Sequence, residues 1–65
     1  MARAMFEYTK DVLQRVSFDV SLFCKEVQKA TKVLLPYEID ELRDFILDLI
    51  QANPALEVSL AYVNP

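Results

Sequence analysis

Three groups of side chains have the type and spacing that chemistry could use. Asp40, Asp44 and Asp48 recur one helical turn apart, the spacing of a carboxylate pair for acid–base work or of part of a metal site. The periodicity of their segment turns that face to solvent, however. A carboxylate in water keeps its ordinary pKa and makes a poor catalyst, because nothing desolvates it. Dimetal sites in helical bundles combine inward-facing glutamates with Glu-x-x-His motifs, and the chain has no histidine. Cys24 is the single thiol. With no imidazole beside it to lower its pKa, it reads as a buried, inert side chain. Lys25, Gln28, Lys29 and Lys32 make a polar row with enough cations for weak phosphate contact. A formal charge of −3 opposes nucleic-acid binding.

Composition removes further chemistries. Without histidine there is no Ser-His-Asp triad, no Cys-His pair and no imidazole metal ligand; without glycine there is no phosphate-cradling loop and no dinucleotide fingerprint. Asp19-Val20-Ser21-Leu22 comes near the Asp-Ser-Leu motif on which small acidic carrier proteins bear a phosphopantetheine arm. The inserted valine rotates Ser21 by one helical step relative to the cap, so the motif does not transfer. The expectation is a protein with no catalytic residues, no metal and no cofactor. A lone cysteine cannot close an internal disulfide and fits a reducing, cytoplasmic setting. The longest apolar runs, such as Val33-Leu34-Leu35 and Phe45-Ile46-Leu47, fall far short of the roughly 20 residues a membrane span needs. The run Met1-Ala2-Arg3-Ala4-Met5-Phe6-Glu7 meets a charge before any apolar signal region could form, so no signal peptide is expected.

The elements that carry these residues follow from apolar spacing. Met5, Phe6, Thr9, Val12, Leu13 and Val16 form one stripe of a first helix. The stripe stops at Ser17-Phe18-Asp19, where Asp19 suits an N-cap and Phe18 is placed to pack back on Phe23 or Cys24. A second helix is predicted from Val20 to Leu34, with Val20, Phe23, Val27, Ala30 and Leu34 in three-four alternation. Pro36 ends it and opens a third helix that reaches Ala52, where Asn53-Pro54 stops it. So short a joint predicts an antiparallel αα-hairpin. Lys32 would then approach Glu41 and Lys25 would approach Asp48, as ordinary exposed pairs beside the seam. The same pairs formed between subunits, or an acidic face that recruits a basic partner, are the functional alternatives. Residues 55–63 read two ways, because Asn53-Pro54 resembles a helix start while Glu57-Val58-Ser59-Leu60-Ala61-Tyr62 alternates like a strand. A short helix is the preferred reading. Residues 1–65 are thus expected to form one small all-α domain: a three-helix body made of an αα-hairpin, an N-terminal helix across it and a short C-terminal segment.

Val16-Ser17-Phe18-Asp19, Leu22-Phe23-Cys24-Lys25-Glu26 and Leu35-Pro36-Tyr37-Glu38-Ile39 together resemble a group of short, all-helical bacterial proteins with no assigned activity. The resemblance spans the middle two-thirds of the chain. It implies a bacterial origin and no functional residues.

The third helix carries more apolar surface than one partner can cover. Ile39, Leu42, Phe45, Ile46, Leu47, Leu49 and Ile50 sweep about 200°, where a helix with a single neighbour needs little more than 100°. The first helix could cover the remainder. Alternatively Leu47 and Ile50, with Leu22 and Val33 off the main stripe of the second helix, belong to a subunit interface. A hydrophobic fraction of 54% in so short a chain favours association. The reading is a non-enzymatic self-association or protein-interaction module, a homo-oligomer (a dimer) that also has the means to dock another protein. A small nucleic-acid-associated regulator is the alternative.

Overall fold

The second helix begins at Asp19 because the Asp19 carboxylate replaces a missing backbone acceptor. Its Oδ1 accepts the Leu22 N–H at 3.1 Å, and Asp19 itself is extended (φ −126°, ψ 103°), as an N-cap must be. In the computed structural model this helix, α2, spans Val20–Val33. It is preceded by α1 (Ala4–Arg15) and followed by α3 (Pro36–Ala52). The structure describes residues 3–63; residues 1, 2, 64 and 65 of the expected domain lie outside the described residues.

Two leucines separate α2 from α3, and both are extended, with ψ near 152° and 155°. The Pro36 ring excludes helical geometry from Leu35 and then occupies the first helical position, where its missing N–H is not needed. Glu38 turns back on this joint. Its Oε1 accepts the Leu35 N–H at 3.0 Å, while the Glu38 N–H donates to the Leu35 carbonyl at 2.9 Å. This is half of a capping box, since Leu35 has no side-chain acceptor to complete it.

Asn53 and Pro54 end α3 by the same logic. Asn53 is extended (φ −141°, ψ 90°), and its amide serves two turns at once. Oδ1 accepts the Ala55 N–H at 3.3 Å, and Nδ2 donates to the Ser17 carbonyl between α1 and α2 at 3.0 Å. The chain then continues as a 3-10 helix, Pro54–Tyr62, far longer than the usual few residues of that geometry.

The all-α class therefore holds, but the expected three-helix count does not, because the C-terminal segment is a fourth helical element. It is helical, as preferred, but wound as a 3-10 helix. The hairpin also needs correction. Both α2 and α3 pack more extensively on the 3-10 helix than on each other, so that helix takes the place where an antiparallel seam was expected. Leu56 and Ser59 are fully buried on it. The small Ser59 side chain permits close approach, and its hydroxyl donates to the Leu56 carbonyl at 2.7 Å, so its own polar atom is not stranded. α1 packs on both α2 and α3. All four elements contribute to one core, built on Phe6, Leu13, Phe23, Val27, Leu42, Ile46 and Leu56.

Three smaller expectations fall with the hairpin seam. Glu41 is engaged by Arg3, at the start of α1, through bonds of 2.7 and 3.2 Å, and not by Lys32. Lys25 and Asp48, expected to approach each other, form no ion pair among the described residues, and Lys29 pairs within its own helix with Glu26 at 3.3 Å. Phe18, expected to pack on Phe23 or Cys24, is 79% exposed. The Asp19 N–H donates to the Val16 carbonyl at 3.0 Å, and this tight turn holds Phe18 at its apex. Among the described residues no helix is long and apolar enough to cross a membrane.

Candidate functional site

The stripe that buries α1 is narrower than its apolar content. Phe6, Thr9 and Leu13 are buried, while Met5, grouped with them from the spacing, is 51% exposed. Met5 belongs to a second stripe, Met5, Tyr8 and Val12, displaced by one residue from the first. A helix packed on two neighbours buries the stripe between them and leaves the adjacent one at its shoulder.

That shoulder forms one wall of a groove of about 210 Å³ between α1 and α2. Met5, Tyr8 and Val12 line it from α1, and Glu26, Lys29 and Val33 from α2. Thr9 and Ala30, both small and both buried, line it as well. Their size explains the gap, since longer side chains at these two positions would fill it. The Thr9 hydroxyl donates to the Met5 carbonyl at 2.8 Å, so it presents no free donor to an occupant. The Glu26–Lys29 pair supplies the charge on the α2 wall. Tyr8 is 64% exposed and Val33 60%. The groove is half open and largely apolar, and its one amine, Lys29, is engaged by Glu26.

The sequence-predicted interface residues occupy different places. Val33 is in the groove wall. Leu22 lies eleven residues earlier on nearly the same side of α2, about 16 Å away along its axis, and is 41% exposed. Leu47 is exposed on α3. Ile50, one turn further, is half-buried and packs against the core. Only Val33 joins the groove. Met5 and Tyr8 were missed as site residues. Their signal was the repeated 5, 8, 12 spacing beside 6, 9, 13, two parallel stripes that were read as one.

Elsewhere the reactive groups are restrained. Cys24 is half-buried, and burial pushes its thiol pKa up, which keeps it protonated at neutral pH. Among the described residues no group of three or more His, Cys, Asp or Glu side chains converges as a metal set would. Asp40, Asp44 and Asp48 are exposed on α3, and Lys25 and Lys32 on α2. The described residues give none of these five an ion-pair partner. Scans of protein-family models, of curated proteins and of solved structures found no match to this chain.

Proposed function

We propose that the protein acts by association: a non-enzymatic helical module that binds a second copy of itself, and other proteins, through the α1–α2 groove. The observation that supports this most is the groove itself, with Met5, Tyr8 and Val33 each more than half exposed around an apolar floor. Clustered exposed apolar side chains support a contact site more than isolated exposed leucines do. The absence of histidine from the sequence and the protonated Cys24 thiol favour binding over catalysis. The lone cysteine is in keeping with a reducing, cytoplasmic setting. The exposed Lys25, Gln28 and Lys32 give a nucleic-acid role some support, but Glu26 already occupies Lys29.

The test is solution mass by light scattering on the wild type and on Tyr8→Glu with Val33→Glu. Neither side chain is in the core, so the variant should keep its helical spectrum while its mass falls to that of a 7.5 kDa monomer. A wild type that is monomeric at high concentration, or a mass indifferent to both substitutions, overturns the reading. Tight binding to random duplex near physiological salt would favour the nucleic-acid alternative.

A further inference from the structure

The charges of α2 and α3 are sorted by sign, and the fold leaves the sorting without an internal purpose. On α2 the exposed Ser21, Lys25, Gln28, Lys29 and Lys32 fall within one arc at 100° per residue, with Leu22 at its edge. On α3 the exposed Tyr37, Asp40, Asp44, Asp48 and Gln51 do the same, with Leu47 at the edge. A seam between the two helices would have consumed these charges. The 3-10 helix occupies that place instead, Glu41 has gone to Arg3, and Lys25, Lys32 and the three aspartates remain without ion-pair partners among the described residues.

The spacings are similar. Lys25, Lys29 and Lys32 step by four and three residues, rising about 6 and about 4.5 Å, and Asp40, Asp44 and Asp48 by four and four, rising about 6 Å each time. Two helices laid side by side would bring three lysines opposite three aspartates. Each row bears an exposed leucine at its margin, so the contact would also bury apolar surface. An unrelated acidic or basic partner would use one of these faces and leave the other unexplained. A second copy of this chain uses both.

We infer that the basic face of α2 in one copy docks on the acidic face of α3 in another. This rests on the self-association reading and names the surface that orients the partner beside the groove. Complementary faces on one chain select copies of that chain and fix the orientation in which they meet.

The test is sedimentation of four samples: wild type, Lys25→Glu with Lys32→Glu, Asp44→Lys with Asp48→Lys, and an equimolar mixture of the two variants. Each variant alone carries like charge on both faces and should associate roughly tenfold more weakly or worse than wild type. The mixture should recover association, since the acidic α2 of one variant meets the basic α3 of the other. In wild type, salt near about 1 M, where screening acts within about 3 Å, should weaken the contact. Variants that associate like wild type, or a mixture that stays monomeric, overturn the inference. If charge reversal does nothing while Tyr8→Glu with Val33→Glu dissociates the protein, the inference fails and the groove reading survives. A monomeric wild type whose lysines instead bind duplex nucleic acid overturns both.

Discussion

Arg3 meets an aromatic ring and a carboxylate together. Its guanidinium lies 4.3 Å from the Phe6 ring centroid and donates to both Glu41 oxygens. Lys10 approaches the same ring at 5.0 Å and Phe45 at 5.7 Å, so two cations line the joint between α1 and α3. The bond from Arg3 holds the Glu41 carboxyl below its ordinary range and raises Arg3 in turn. Only Glu41 titrates in accessible acid. A carboxyl depressed in the folded state contributes stability above its unfolded pKa of about 4.3, and that contribution is lost as pH falls through the lower folded value. Thermal melts from neutral pH down through the acid range should therefore show wild type losing part of an advantage over Glu41→Gln. The two profiles should converge at the acid end, whereas parallel profiles would mean that the clasp contributes nothing. Both partners are exposed, so the gap should also shrink in salt.

Among the elements, the 3-10 helix carries a burden out of proportion to its bond geometry. Leu56 is fully buried against the core, while Val58, two residues on, is 56% exposed. Leu56→Ala should cost about 2–5 kcal/mol, and Val58→Ala should stay within about 0.5 kcal/mol of wild type, both read from urea unfolding. Equal costs would mean that the helix is not packed as described. The chain announced its first three helices because each boundary has a local cause: the Asp19 cap, Pro36, and the Asn53-Pro54 pair. The last element shares the Asn53-Pro54 start but has no unambiguous period behind it. Its buried positions, Leu56, Ser59 and Val63, stand at α-like intervals, its exposed and apolar residues partly alternate, and its winding is set by what it fits between. The hairpin expectation failed for the same reason, since nothing local says that a later segment will enter the gap between α2 and α3. Val33, Leu22 and Leu47 were legible as exposed apolar residues because they lie off the buried stripes. Met5 was not, because neighbouring stripes on α1 merge when only one packing partner is imagined.

At the scale of the whole molecule, the Cα radius of gyration is 10.6 Å, close to the roughly 11 Å of a compact chain of this length. A body this small buries only about 60% of its unfolded surface and is stable by a narrow margin. Association that favours the folded form adds to that margin by mass action. The wild-type melting temperature should therefore rise with protein concentration, and the rise should vanish in Tyr8→Glu with Val33→Glu. A melting temperature independent of concentration in both would separate folding from assembly. The body also depends on one amide, Asn53, which joins the α1–α2 turn to the start of the last helix. Such an amide is open to slow chemical ageing. Deamidation ordinarily begins when the backbone nitrogen of the next residue attacks the side-chain carbonyl and closes a succinimide ring, a step that expels ammonia and needs an N–H on that nitrogen. Pro54 has none. The proline that bends the chain at this corner thereby closes the common route by which its key asparagine would become an aspartate.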